Sequence, residues 1–212
     1  MEDVWDGRWV TERLGVQLDS DPAAPLEGWI GLALRRRSTR AHLLVSHVLG
    51  KHIPLDPRTA YGIGMRLGQY TRNALDGEPA VVIGYAETAT ALGHAVADEL
   101  SVSCLHSTRR SVPGISAALT FQESHSHAPA HVLLPEDPTL LTKPHPIVLV
   151  DDELSTGHTA LNTIRALHQL CPRDSYVIST LVDVRAPADV ALVQAVAGEL
   201  ETSITVVHGT SG

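Results

Sequence analysis

Two adjacent carboxylates stand where an apolar run stops: Ile147-Val148-Leu149-Val150 leads into Asp151-Asp152-Glu153-Leu154-Ser155-Thr156-Gly157-His158-Thr159. Hydroxyls at Ser155 and Thr156, a glycine able to take positive φ, and a third hydroxyl at Thr159 follow the acids. If a helix starts there, the backbone N–H groups of residues 155–159 converge on one spot, which suits a phosphate. Asp151 and Asp152 repel phosphate, but as pure acceptors they suit the vicinal hydroxyls of a ribose. Phosphate and diol recognition side by side describes a ribose 5-phosphate. An ordinary strand-to-helix turn is the plain alternative. A receiver-type acidic pocket also begins with an apolar strand and two aspartates, but no Ser-Thr-Gly phosphate turn is expected after it.

Three further groups could do chemistry. Gly84-Tyr85-Ala86-Glu87-Thr88 closes a second apolar run, Ala80 to Gly84, and opens a helical pattern. Ser107-Thr108-Arg109-Arg110 puts two adjacent cations into a chain of formal net charge −8, and Glu123-Ser124-His125-Ser126-His127 follows. His125, His127 and His131 have a spacing feasible for zinc, although no cysteine or second cluster completes four ligands; a solvated surface loop is the other reading. Lys51 and His52 lie in Val45-Ser46-His47-Val48-Leu49-Gly50-Lys51-His52-Ile53-Pro54-Leu55-Asp56-Pro57-Arg58 and are either part of a binding segment or a solvated pair.

The elements that must position these residues alternate. Asp56 as N-cap and Pro57 at the first helical position open a helix running to about Leu75, and Asp76-Gly77 ends it. Strands are predicted at 80–84, 102–106, 147–150, 176–182 and 204–207, with helices at 87–100, 159–170 and 188–200. Alternation of this kind implies a mainly parallel sheet covered on both faces, with ligands beyond the carboxyl ends of its strands. Residues 107–129 carry no periodicity and are expected to form a functional lid or to be disordered. Residues 1–40 are irregular, with Val4, Trp9, Val10 and Leu14 able to line one side of a short element, and 41–49 fits a strand or a buried turn.

Bulk properties exclude several classes. A length of 212 residues with 43% hydrophobic and 19% charged residues describes one globular domain. The acidic balance, with no basic block longer than Arg35-Arg36-Arg37, argues against nucleic acid or an anionic membrane as partner. There is no apolar run of membrane-spanning length and no signal-like N-terminus. Cys104 and Cys171 sit in unrelated contexts, so a reducing cytoplasm fits. The chain ends shortly after its last predicted strand, which leaves open whether it is a piece of something longer.

The 147–159 stretch resembles the phosphoribosyl-pyrophosphate motif of type I phosphoribosyltransferases, which runs apolar strand, two acids, two variable positions, then Thr/Ser-Thr-Gly. His158 stands where a second small residue is common. The resemblance covers roughly residues 41–207 and implies an α/β phosphoribosyltransferase fold: a small N-terminal hood (1–55) over the base site, a core (56–212) and a mobile loop (107–130). It implies that Asp151, Asp152, Ser155, Thr156, Gly157, His158 and Thr159 hold the ribose 5-phosphate of phosphoribosyl pyrophosphate. It also makes Tyr85-Ala86-Glu87-Thr88 the pyrophosphate turn, with Ala86–Glu87 as a cis non-proline peptide. Arg109 and Arg110, with Asp152, would serve catalysis, and Lys51 and His52 would face the base.

Magnesium would travel with the pyrophosphate, held by its oxygens and water rather than directly by the chain. The implied activity is transfer of ribose 5-phosphate to a nucleobase-like acceptor with release of pyrophosphate; a non-catalytic sensor of the same ligand is the rival from another class. The 45–58 segment is similar to the base-site segment of orotate phosphoribosyltransferases in Lys51, Pro54, Asp56 and Arg58. It departs at Ile53 and Leu55, where the orotate enzymes are aromatic. The closest likeness, in 85–94, 105–110 and 123–128, is to bacterial phosphoribosyltransferases encoded beside tellurium-resistance genes. A homodimer is the assembly to test.

Overall fold

The computed structural model of the chain describes residues 8–14, 28–34, 42–51, 53–122 and 130–212. Helix α1 (Arg8–Leu14) precedes an antiparallel hairpin of β1 (Ile30–Leu34) and β2 (His42–Ser46). Helix α2 (Pro57–Leu75), strand β3 (Val81–Gly84), helix α3 (Thr90–Leu100) and strand β4 (Ser103–His106) come next. A second antiparallel hairpin, β5 (Leu119–Phe121) with β6 (His131–Leu133), and a 3-10 turn at Pro138–Leu141 lead to β7 (Ile147–Leu154). The chain closes with α4 (His158–Leu170), β8 (Ser175–Asp183), α5 (Pro187–Glu199) and β9 (Ser203–Ser211).

The central sheet has the order β4-β3-β7-β8-β9, and every neighbouring pair is parallel. Apolar side chains fill both of its faces: Val82, Ile83, Val148, Leu149 and Ile178 have at most 0% exposure. That is why these strands read as unbroken apolar runs rather than alternating ones. From β3 the chain moves outward to β4, then returns across β3 to β7 and continues the other way. Right-handed crossovers therefore put α3 on one face and α4 and α5 on the other. The strand order reverses between β3 and β7, the place where an open α/β sheet leaves a crevice for a ligand.

Two anchorages fix what surrounds that crevice. The indole of Trp29, just before β1, lies on Gly209 of β9, and Arg66 of α2 sits 6.0 Å over the same ring. These contacts seat the β1–β2 hairpin on the core. At the far end, the buried Arg173 guanidinium donates to the carbonyls of Leu141, His145, Leu167 and Cys171. It thereby ties the start of β7 to the end of α4. Asp56 caps α2 through the Arg58 N–H, and Asp76 ends it in the left-handed region at φ 47, as the sequence predicts.

The structure departs from the sequence reading in three places. The described part of 107–130 is not structureless: Ser107 is fully buried, Thr108 and Val132 exchange backbone hydrogen bonds, and Leu119–Phe121 pairs with His131–Leu133; residues 123–129 lie outside the described residues. Three-residue strands are too short for a period to show. Strand β7 continues through both aspartates to Leu154, and β9 reaches Ser211, because each keeps a parallel partner in β8. The irregular N-terminal region contains α1, with Val10 buried and Trp9 exposed, and β1; Val4 lies outside the described residues. No helix of the described residues is long and apolar enough to cross a membrane.

Gly84 and Gly93 let α3 approach β3 closely: a Cβ on Gly93 would fall 2.9 Å from the Gly84 Cα. Gly93→Ala should cost about 1–3 kcal/mol by overpacking. For a domain of this size that lowers Tm by about 2–4 °C per kcal/mol, read by thermal denaturation; an unchanged Tm would mean that the helix can move back at no cost.

Candidate active site

Parallel pairing of β3 with β7 sets Gly84 opposite Val150. Each strand therefore delivers its next residues, Tyr85-Ala86-Glu87 and Asp151-Asp152, to the same edge of the sheet. The Tyr85 N–H donates to the Val150 carbonyl, at 3.0 Å, so the first turn is tied directly to the acidic strand.

The first turn contains a cis peptide between Ala86 and Glu87, neither of them followed by proline. Its entry is held on three sides. Besides the Tyr85 bond, the Ala86 N–H donates to the buried Ser107 Oγ at 2.9 Å, and the Ala89 N–H donates back to the Tyr85 carbonyl. Glu87 is exposed and Thr88 half-buried, both at the mouth of the crevice. Tyr85 differs from the sequence reading in one respect: its ring is buried and its hydroxyl donates to Thr163 Oγ1 of α4 at 2.9 Å. Burial pushes its phenol pKa far up. The side chain is thus a core strut between α4 and the turn.

The second turn begins at Asp151, whose Oδ1 accepts the Asp152 N–H at 2.8 Å. Burial, then the neighbouring Asp152 charge, pushes the Asp151 pKa well above the ordinary carboxylate range. Asp152 turns outward, where Lys51 from the segment after β2 meets its Oδ2 at 3.1 Å. Ser155 and Thr156 are half-buried, and Gly157 takes φ 76 to start α4 at His158, with His158 and Thr159 half-buried in its first turn. The first N–H groups of α4 have no side-chain cap and, as at any helix start, no partner within the helix.

Arg109 is half-buried and its Nε–H donates to His131 Nε2 at 3.1 Å, while the other ring nitrogen of His131, Nδ1, lies 2.9 Å from Ser107 Oγ. With both nitrogens engaged, His131 has no lone pair to give zinc without losing Arg109. Arg110 is exposed, its N–H held by Thr108 Oγ1. His52, His125 and His127 lie outside the described residues.

A small, half-open cleft lies between hairpin and core, lined by Ile30, Leu44, Ser46, Asp152, Glu153, Leu181 and Val182. Lys51, expected at the base, pairs with Asp152, one of the residues lining the cleft. The sequence reading also missed two features. Arg185, paired with Asp183 at 2.7 Å, has its Cδ 3.9 Å from where a Gly157 side chain would begin. The apolar cleft wall combines Leu181 and Val182 of the predicted strand β8 with Ile30 of β1 and Leu44 of β2, and β1 lies in a region with no readable period. A cation soon after a buried strand was the only available signal for Arg185.

A family model described as "Phosphoribosyl transferase" matches residues 29–212. No curated protein matches the chain by sequence. Among solved structures, the adenine phosphoribosyltransferase of Rhodothermus marinus is similar with a TM-score of 0.58 at 14% identity, over 88% of this chain and 96% of that one. The Giardia lamblia enzyme complexed with 9-deazaadenine gives 0.59 at 16%, over 86% and 93%. The Trypanosoma brucei enzyme, solved with AMP, pyrophosphate and ribose-5-phosphate, gives 0.56 at 14%, over 84% and 75%. Such low identities establish a shared fold.

The raised Asp151 pKa has a consequence for stability. A carboxyl whose folded pKa lies above its unfolded value, about 4, stabilises fully below that value. The contribution drains as pH rises through the folded pKa. Asp151→Asn removes the ionisation yet keeps an oxygen for the Asp152 N–H. Its Tm should match wild type in acid and exceed it at neutral and alkaline pH, by about 2–4 °C per kcal/mol relieved. Thermal melts across the pH range test this; a constant offset, or a variant that melts lower at alkaline pH, would contradict it.

Proposed function

The chain belongs to the phosphoribosyl transferase family, and we propose that it transfers ribose 5-phosphate from phosphoribosyl pyrophosphate to an uncharged, nucleobase-like acceptor held beneath the β1–β2 hairpin. One observation carries the reading: the cis turn and the acidic turn leave neighbouring strands at one register, Gly84 beside Val150. A ligand with an anionic group at each end and a diol between them matches that arrangement.

In this reading the turn 155–159 cradles the 5-phosphate and Asp151 and Asp152 accept the ribose hydroxyls. Lys51, which neutralises Asp152 in the free protein, yields its place to the diol. Backbone groups of 85–88 and the Glu87 carboxylate border the pyrophosphate. Magnesium would travel with the pyrophosphate, held by its oxygens and water, with the exposed Glu87 carboxylate on that side; it would supply neutralisation of the pyrophosphate charge. Arg109 and Arg110 counter the charge that grows on the leaving pyrophosphate as its bond to C1 breaks. A nitrogen or carbon nucleophile of the acceptor then forms the new bond at C1. Catalysis of this kind is mostly positioning and charge stabilisation.

The cleft lining argues about the acceptor. Ile30, Leu44, Leu181 and Val182 suit a flat apolar ring, and Asp152 and Glu153 suit N–H donors on its edge. A carboxylated base such as orotate would meet the Asp152 and Glu153 carboxylates, Asp152 being paired with Lys51 in the free protein. The departure of the 45–58 segment from the orotate enzymes at Ile53 and Leu55 points the same way. The proposed association with tellurium-resistance gene clusters rests on the likeness of 85–94, 105–110 and 123–128. The unpaired Cys104 and Cys171 fit a reducing cytoplasm, and a homodimer is the proposed assembly.

The test is pyrophosphate release from phosphoribosyl pyrophosphate and magnesium with a panel of bases. Turnover with at least one neutral base and none with orotate is expected; turnover with orotate would overturn the acceptor reading. Asp152→Asn should weaken phosphoribosyl pyrophosphate binding roughly 10- to 150-fold, the worth of a charge-assisted hydrogen bond of ~1.5–3 kcal/mol. Calorimetry showing unchanged affinity in the folded variant would remove Asp152 from the ribose.

A further inference from the structure

His131 is 2% exposed, and both of its ring nitrogens bridge parts of the site that are far apart in sequence. On one side Ser107 Oγ, 2.9 Å from Nδ1, also accepts the N–H of Ala86 in the cis turn. On the other, Nε2 accepts the Arg109 Nε–H at 3.1 Å. Phe121 of β5 stacks on the imidazole with ring centroids 5.2 Å apart, and Tyr85 meets Phe121 edge-on at 5.8 Å. The ring therefore has fixed height and tilt as well as two fixed partners.

The protons can be placed by elimination. A guanidinium Nε in a protein always carries its hydrogen, so His131 Nε2 must present a lone pair. A neutral imidazole with Nε2 bare carries its proton on Nδ1, and Nδ1–H donates to Ser107 Oγ. That oxygen accepts from His131 and from Ala86 together, which its two lone pairs allow. The chain of bonds thus runs with one polarity, from Arg109 into the ring, and from the ring into the serine that holds the turn.

We propose that His131 is a positioning residue for the pyrophosphate subsite: it holds Arg109 in register with the Ala86–Glu87 turn by accepting Arg109 Nε–H while donating to the serine that anchors that turn. The proposal rests on the phosphoribosyl pyrophosphate reading above and adds to it a residue that touches no substrate. It also accounts for a hairpin built from the segment after β4. Pairing β5 with β6 brings Phe121 and His131 opposite each other, so folding of that segment is what delivers the ring to Arg109.

Two amide side chains separate the two bonds. The amide of Gln reaches the position of Nε2 and can accept from Arg109; the amide of Asn reaches that of Nδ1 and can donate only to Ser107. The probe is inorganic pyrophosphate with magnesium, titrated calorimetrically, with ribose 5-phosphate titrated in parallel. Arg109→Ala should weaken pyrophosphate roughly 10- to 150-fold as a lost charge-assisted contact. His131→Asn should weaken it about tenfold and His131→Gln by no more than about threefold, because only Gln keeps the Arg109 bond. In the double variant Arg109→Ala with His131→Asn, the loss should equal that of Arg109→Ala alone, the non-additivity of residues acting as one unit. Ribose 5-phosphate affinity should stay at the wild-type value in all of them.

Equal losses in His131→Asn and His131→Gln, or additive losses in the double variant, would reduce His131 to a packing residue and overturn the proposal. A long-range proton–nitrogen NMR correlation that finds the His131 proton on Nε2 would overturn it as well. If the wild-type protein binds ribose 5-phosphate but His131 and Arg109 leave pyrophosphate untouched, this inference alone fails. If wild type binds neither ligand, the phosphoribosyl reading fails with it.

Discussion

Everything at this site depends on two parallel strands held at one register. Because Gly84 pairs with Val150, the cis turn and the acidic turn begin level with each other, and the distance between them is set by sheet geometry rather than by loops. Neighbouring strands lie roughly 4.8 Å apart, a separation that one sugar can span with an anionic group at either end. The rest of the fold preserves this register. Arg173 pins the start of β7, the Gly84–Gly93 contact presses α3 onto β3, and Tyr85 braces the turn against α4. None of these residues has to touch a ligand to matter.

The same arrangement creates an electrostatic cost that the structure only partly relieves. Two carboxylates at adjacent positions cannot both ionise freely when one is enclosed. Asp151 answers by holding its proton more tightly, and Asp152 by taking Lys51 from the hood. The segment after β2 is therefore tied to the core partly through an acid that the proposed function assigns to the ribose. On that proposal, a diol would replace the ion pair, and occupancy of the site and seating of the segment would be coupled through a single aspartate.

Much of this was legible in the sequence. Long buried strands with no alternation read as a parallel sheet because burial on both faces leaves nothing polar in them. The 151–159 motif read as a phosphate turn because its chemistry is local. The Ala86–Glu87 peptide was expected from resemblance, and the fold has it in cis. What stayed hidden was long-range or short. Strands β5 and β6 span three residues each, and the bonds of His131 join positions 107, 109 and 131, which no period relates. Tyr85 appeared as a site residue from its place in the turn, whereas its side chain follows the strand alternation into the core. Lys51 appeared near the base, and only the tertiary fold could hand it to Asp152.

The central claim is that the two turns hold the two ends of one substrate, and co-binding of the halves tests it most directly. Ribose 5-phosphate and magnesium pyrophosphate, titrated together into the protein, should bind simultaneously, and phosphoribosyl pyrophosphate should displace both at a stoichiometry of about one per chain. Mutually exclusive binding of the two halves, or displacement of only one of them, would mean that the turns do not form a single site.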